Sequence, residues 1–294
     1  GQYMNQELVS VMVLAYNAEK YITDLLESIK MQTYQRLELV VSDDASTDNT
    51  VKIVEEWCKD NKERFENMIV RKSKDNQGVT KNVNLGYREC NGKYIKLIAA
   101  DDKLVEDCIE TMVSKAEEEA CNVLFGKMEA FGTNVIKHEY PVNYKFYQMT
   151  AREQYKQLLA VNEVAAPTVF IRKSILVKNG YCDERFPFME DYPLWLKLTK
   201  NGEQLKLLDK IVVNYRRTED SLTTTTGKTI VGKKYFRTYK RFFYQEKLLP
   251  MIQYKKYREI ARELKEFLYK DLLLLTGNKQ GSKVSIKLKK LFYS

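Results

Sequence analysis

The chain has one histidine, His138, in 294 residues, and that scarcity removes whole classes of chemistry. Metal motifs built on two histidines are excluded, and a hydrolytic triad would rest on one residue in an unpatterned stretch. His138 reads as an ordinary surface histidine. No C-x-x-C spacing occurs: Cys58, Cys90, Cys108, Cys121 and Cys182 stand singly, mostly inside helix or strand patterns. That argues against zinc and disulfides and for a reducing compartment. No apolar run approaches the roughly 18 residues of a membrane span, and the N-terminus lacks a charged stretch followed by an apolar one. The expectation is a cytoplasmic protein with neither a transmembrane helix nor a signal peptide.

What is present suffices for a real core: 44% hydrophobic residues can build one large globular domain, or one plus an appendage. The formal charge of +9 is unevenly placed. Residues 228–294 hold 18 Lys and Arg against 5 Asp and Glu, whereas residues 1–227 hold 31 against 35. A basic balance confined to one terminal segment suits an attachment device rather than a basic active site.

Along residues 1–227, strand and helix patterns alternate. Val9 to Ala15 is a β-branched and apolar run, followed by Tyr21, Ile22, Leu25, Leu26 and Ile29 at helical spacing. Leu37 to Val41 repeats the strand signal, and Val51, Val54, Trp57 and Cys58 mark the next helix. Met68 to Val70 is a short strand candidate before a helix carrying Val79, Val83 and Tyr87. Tyr94 to Ala99 ends in Asp101-Asp102, a helix is expected from about Leu104 to Ala120, and strands are expected at Val123 to Phe125 and Pro167 to Ile171. Such alternation predicts an α/β fold with a mostly parallel sheet covered by helices on both faces.

In a parallel sheet all the carboxyl ends lie at one edge, where open sheets bind their ligands. Tyr16-Asn17, Asp43-Asp44, Asp75 to Gly78 and Asp101-Asp102 all follow strands in this register. Each acid alone could be a turn residue or helix N-cap; four loops converging on one edge point to a site for a cation and a phosphate. Further on, Glu190-Asp191 enters a helix with Tyr192, Leu194, Trp195 and Leu198, and Pro193 fits its first turn. Aromatics thicken between Phe131 and Tyr147, where packing and ring stacking are both open.

With these segments assembled, the chain resembles the family-2 glycosyltransferases, a bacterial surface-polysaccharide group with the nucleotide-diphospho-sugar transferase (GT-A) fold, over residues 8 to about 222. The resemblance rests on VSVMVLAYNAEKYI, SIKMQTYQRLELVVSDDASTDNT, NQGVTKNVNLGY, NGKYIKLIAADD and GYCDERFPFMEDYPLWLKL, in that order. It implies a donor site in which Asp44 and Asp43 contact the uracil or ribose of a UDP-sugar, with Ala15, Tyr16 and Asn17 near the base. Asn76, Gly78, Lys81 and Asp101 are implied around the rest of the donor. It further implies that Asp101 and Asp102 bind Mn²⁺ or Mg²⁺, and that Asp191, beside Glu190, is the catalytic base. The chain departs from the common pattern at Ala99, where many members carry an acid, and at Thr218, where many carry His. Arg216 or Arg217 could meet the phosphates instead, and a solvated surface role is equally open. The Q-x-x-R-W motif of processive synthases is absent.

Beyond Gly227 the pattern is helical and basic: roughly Ile230 to Lys247, a break at Pro250, Ile252 to Leu275, then Lys283 to Phe292. Aromatic residues at helical spacing among Lys and Arg suit either an anionic membrane surface or packing against the catalytic domain or another subunit. Nucleic acid is not expected, since no recognised motif accompanies the charge.

The expectation is a GT-A catalytic domain over residues 1–227 with a basic helical extension over 228–294. Its activity would be inverting, metal-dependent and non-processive transfer of one hexose or N-acetylhexosamine from a UDP-sugar to a glycan or lipid-linked acceptor, at the inner face of the membrane. The alternatives are a catalytically silent nucleotide-sugar-binding protein or scaffold, and a sugar-phosphate nucleotidyltransferase.

Overall fold

The computed structural model describes residues 5–133, 135–218 and 229–293. Strand and helix alternate first as β1 (Val9–Ala15), α1 (Ile22–Lys30), β2 (Leu37–Asp43), α2 (Thr50–Asp60), β3 (Asn67–Lys72), α3 (Val79–Glu89) and β4 (Tyr94–Ala99). There follow β5 (Lys103–Leu104), α4 (Cys108–Glu118), β6 (Val123–Gly132), α5 (Tyr144–Gln148), α6 (Ala151–Ala160), β7 (Phe170–Arg172), α7 (Lys173–Lys178), α8 (Tyr192–Lys200) and β8 (Leu205–Arg217). The last helices are α9 (Lys233–Phe242), α10 (Leu248–Gln253), α11 (Tyr257–Thr276) and α12 (Lys283–Tyr293).

The strands form one sheet of order β3-β2-β1-β4-β7-β6-β8-β5. β3, β2, β1 and β4 run parallel, and their register places Ala15 opposite Asp43 and Leu14 opposite Ala99. The carboxyl ends of these strands therefore share one edge. β7 runs antiparallel to β4 and β6, and β5 antiparallel to β8. All seven residues of β2 and six of the seven in β1 are buried, as expected of strands covered on both faces. α1 buries Ile22, Leu25, Leu26 and Ile29, one helical stripe, and each such side chain contributes about 1.5–3 kcal/mol. α3 lies close on the sheet because it carries Gly86: a Cβ there would stand 2.7 Å from Met12 Sδ and 2.9 Å from Ser42 Cβ.

Several expectations need correction. β8 carries Lys206, Asp209 and Lys210 among its apolar residues, which hides its strand character, yet it supplies 13 residues of sheet. β5 exists only through its pairing with Val213 and Asn214, and it delays α4 to Cys108. Pro167 lies in a 3₁₀ turn, Ala166–Thr168, so the strand there begins at Phe170. Pro250 does not break the tail: it sits in the first turn of α10, where no backbone N–H is needed, after a π-turn over Phe243–Lys247. The break falls instead before α11, where Lys255 takes a positive φ of 56°.

The chain divides into two compact units, one of Gly1–Tyr155 with Glu163–Arg217, the other of Lys156–Asn162 with Thr218–Ser294. The expected domain boundary at residues 227 and 228 lies outside the described residues. The second unit has an aromatic core in which the Phe236 and Phe243 rings meet Phe267 at 6.0 and 5.1 Å between centroids. Phe236, Phe242 and Phe243 are thus packing residues, while Tyr235 is exposed. Lys247 is buried with its Nζ 3.0 Å from the Tyr239 hydroxyl and 3.4 Å from Glu263, and burial pushes its pKa down. No helix among the described residues is long and apolar enough to cross a membrane.

Candidate active site

Three loops at the carboxyl edge are laced together by hydrogen bonds. After β1, Asn17 takes a positive φ of 45°, a conformation that Asn tolerates. Its N–H donates to Ser46 Oγ at 2.8 Å, and its Oδ1 accepts the Thr47 N–H at 2.8 Å. After β2, the Asp44 N–H donates to the Ala15 carbonyl at 3.0 Å. The Asp43 carboxylate is buried and accepts the Ser46 N–H at 2.8 Å and the Ser46 hydroxyl at 2.5 Å. It shapes the turn that holds Ala45 at a φ of 62°. The Asp44 carboxylate reaches the third loop, accepting the Gln77 N–H at 2.6 Å and the Gly78 N–H at 3.0 Å. Asn76 Oδ1 also accepts from Gly78 N–H, at 3.2 Å. Gly78 is required there: its φ is 86°, and a Cβ would stand 3.2 Å from the Pro187 carbonyl. Ala15 is buried and Tyr16 exposes its ring to solvent. Lys81 is exposed on α3.

The acidic turn after β4 is clamped by β8. Asp102 Oδ1 accepts the backbone N–H of Arg216 at 2.9 Å, and Arg216 Nε donates to the Asp101 carbonyl at 2.7 Å. The guanidinium also pairs with Asp24 at 2.9 Å and lies over the rings of Tyr21 and Phe131, 4.3 and 4.5 Å from their centroids. Arg216 therefore positions the turn. Asp102 is 1% exposed, and burial together with the neighbouring Asp101 carboxylate raises its pKa to about 7, against the pull of the Arg216 N–H and of Lys96. Lys96 is itself buried within β4, its Nζ donating to the carbonyls of Leu97 and Pro167 at 2.5 and 2.7 Å, and burial lowers its pKa to about 8.

Among the described residues no set of three His, Cys, Asp or Glu could enclose a metal. A desolvated carboxylate beside a second one is nonetheless short of positive charge, which fits a hard divalent cation whose other ligands are substrate phosphate and water.

The Glu190-Asp191 pair is aimed by a loop that α3 holds. Asn84 Nδ2 donates to the Cys182 carbonyl at 2.8 Å, and the Cys182 N–H donates to Asn84 Oδ1 at 2.9 Å. One turn earlier, Thr80 donates its hydroxyl to the Phe186 carbonyl at 2.7 Å and its N–H to the Pro187 carbonyl at 3.3 Å. Asp191 occupies the N-cap position of α8 without a side-chain cap bond. Burial raises the Asp191 pKa, with the N–H groups of Tyr192 and of Asp191 itself opposing. Glu190 is pushed up to about 7 by burial and by Asp191. Both acids line a cavity of about 100 Å³ with Leu14 and Ala99, from the ends of β1 and β4.

The expected residues thus fall into two clusters along one edge: Ala15, Asn17, Asp43, Asp44, Asn76 and Gly78 in the laced loops, and Glu190 and Asp191 beside Ala99, a few residues from Asp101-Asp102. Thr80 and Asn84 were not anticipated, although two polar residues at i and i+4 on an otherwise buried helix face are a readable signal. Lys96 was also missed, since a lysine in a strand reads as solvated.

The family model described as "Glycosyl transferase family 2" matches residues 10–178. The glycosyltransferase GlyG of Streptococcus pneumoniae is 31% identical over 159 residues, 54% of this chain and 49% of GlyG. The Escherichia coli UDP-Glc:alpha-D-GlcNAc-diphosphoundecaprenol beta-1,3-glucosyltransferase WfaP is 27% identical over 227 residues, 76% of this chain and 83% of WfaP. The chain thus spans about half the length of one of these curated relatives. Among solved structures, Staphylococcus aureus TarS residues 1–349 in complex with UDP-GlcNAc matches with a TM-score of 0.59 at 23% identity, covering 78% of this chain and 64% of that one. The curled α/β sheet with C-terminal helices is the GT-A fold that the sequence led one to expect.

Proposed function

The chain belongs to glycosyl transferase family 2, and from that premise we propose that it transfers one sugar, a hexose or N-acetylhexosamine, from a UDP-sugar to a hydroxyl of a glycan or lipid-linked glycan, inverting the anomeric centre. The observation that carries this reading is the placement of Asp191 and Glu190 in one cavity with Leu14 and Ala99. It supports a reading in which one of the two acids acts as the base, beside the strand ends that lead into the Asp101-Asp102 turn. WfaP, whose name pairs UDP-glucose with a β-linkage on a diphosphoundecaprenol-borne sugar, supports the donor and acceptor classes.

In this reading Tyr16 stacks on the uracil, and Asp44, whose carboxylate already reads two backbone N–H groups, meets the ribose or base edge. Asp101 and Asp102 are the residues that would hold Mn²⁺ or Mg²⁺, which would supply positive charge against that developing on the leaving diphosphate. Asp191 accepts the proton of the acceptor hydroxyl as that oxygen attacks the anomeric carbon. Its raised pKa makes it a stronger base than an exposed aspartate. The C–O bond to UDP breaks as the new glycosidic bond forms on the opposite face. Residues 1–227 serve as the catalytic part. The helices of residues 228–294 dock the enzyme on an anionic leaflet or on a second copy, keeping a cytoplasmic enzyme near its acceptor.

UDP release measured across a donor panel, with Mn²⁺ and with EDTA, tests the reading. Failure of every nucleotide sugar to bind or turn over would refute it. A catalytically silent binding protein is favoured only by Ala99 and Thr218, the two departures from the common pattern; it would bind donor and be indifferent to Asp191→Asn.

A further inference from the structure

The cavity beside the acid pair has more in it than a catalytic base needs. Its walls are apolar, formed by Leu14, Leu97, Ala99, Pro167, Val169 and Leu194. One hydrogen-bond donor in the same walls lacks an acceptor, and a tyrosine stands beside it. Trp195 is 2% exposed and its Nε1–H has no partner. Tyr87 is 1% exposed and lines the same cavity, close enough to Glu190 to feel its charge. Buried donors in native proteins are nearly always satisfied, so each exception calls for an explanation.

Size narrows the occupant. An apolar cavity of about 150 Å³ takes benzene, so about 100 Å³ holds roughly four non-hydrogen atoms on the same scale. We infer that this recess receives the acetamido group of an N-acetylated sugar. Such a group has four non-hydrogen atoms, and its parts match the walls. The methyl enters the apolar end, the carbonyl oxygen accepts from Tyr87 or Trp195, and the amide N–H donates to the carboxylate of Glu190 or Asp191. A hexose hydroxyl at the same carbon would leave most of the space empty. A 6-deoxyhexose methyl would leave the Trp195 donor orphaned. The inference rests on the transferase reading for its sugar, but its test does not.

Two measurements on the full chain separate the two claims. The first is kcat/KM for UDP-N-acetylglucosamine and UDP-N-acetylgalactosamine against UDP-glucose and UDP-galactose, and for methyl glycosides of N-acetylglucosamine against glucose as acceptors. The preference for the N-acetylated form is expected on one side only, which assigns the recess to donor or acceptor. Tyr87→Phe and Trp195→Phe should each lower the N-acetylated-to-hexose ratio about tenfold, the effect of one lost hydrogen bond. Tyr87→Phe decides if the tryptophan variant does not fold. The second is fluorescence of Trp57→Phe, in which Trp195 is the only one of the chain's two tryptophans left. N-acetylated sugars, free or UDP-linked, should shift its emission at concentrations at least tenfold below the matching hexoses. Equal use and equal binding of hexose and N-acetylated forms would overturn the inference and leave the transferase reading standing. Preferential binding of N-acetylated sugars without any turnover would uphold the inference and remove the transferase reading.

Discussion

Arg216 donates its backbone N–H to the Asp102 carboxylate at 2.9 Å while its guanidinium holds the Asp101 carbonyl at 2.7 Å. One residue of the edge strand β8 thus fixes both members of the acidic turn, and the arginine side chain acts through position. Arg216→Ala keeps the N–H bond and loses the clamp. Turnover should fall about 10–100-fold, with the Mn²⁺ concentration for half-maximal rate raised and donor affinity in EDTA nearly unchanged. A variant with an unchanged Mn²⁺ titration would show that the clamp does not serve the metal.

Asp191→Asn removes the proposed base without changing shape. The expected loss in kcat is about 10²–10⁴-fold, with UDP-sugar affinity by calorimetry within about twofold of wild type. Unchanged turnover would leave Asp191 without a catalytic role.

The turnover of the wild type should carry an acidic limb whose midpoint lies above the ordinary aspartate range, because burial raises the Asp191 pKa and the base must be ionised to act. A kcat that stays flat down to pH 4 would contradict this.

Stability carries a second pH signature. Asp102 and Glu190 titrate near 7 in the folded protein but near 4 in an unfolded chain. The folded state therefore favours their protonated forms. The stability this confers is complete below about pH 4 and is lost as pH rises through 7. In EDTA, Asp102→Asn and Glu190→Gln should melt progressively higher than wild type on going from pH 4.5 to 8, by a few degrees at the upper end. Thermal unfolding at the two pH values reads the difference, and a constant offset would show that neither group is desolvated.

Thr80→Val and Asn84→Ala cut the bonds that hold the loop ahead of the acid pair. Each should cost about 1–3 kcal/mol of stability because buried carbonyls lose their donors. Each should also lower kcat more than it weakens UDP binding, whereas equal loss of both would mean that the loop serves the nucleotide.

Much of this architecture was legible because parallel strands buried on both faces read as continuous apolar runs. Val9 to Ala15 and Leu37 to Val41 carried that signal, and β1 and β2 contain them. β8 was not legible: a strand with one wet face, interrupted by Lys206, Asp209 and Lys210, has no period that separates it from a loop, and its identity is fixed by its pairing with β6. The two-residue β5 has no sequence signal at all. In the site, sequence reading reached the residue types but not their partners. That Asp43 is consumed by Ser46, while Asp44 spans to Gln77 and Gly78, depends on turn geometry at Ala45. Pro250 misled for the opposite reason: just after the π-turn, in the first turn of α10, a proline is tolerated.

The locks on the acid pair and the acidic turn join residues far apart in sequence: Asn84 to Cys182, Thr80 to Phe186, Asp102 to Arg216. β1 to β4 pair within the first 99 residues, so the donor loops can assemble while the rest of the chain is still being made. The acid pair is aimed only when a stretch about 100 residues later docks against α3, closing a long loop at entropic cost. In a nascent chain the laced loops are thus complete before the centre that would use them, and an early truncation would keep the former and lose the latter.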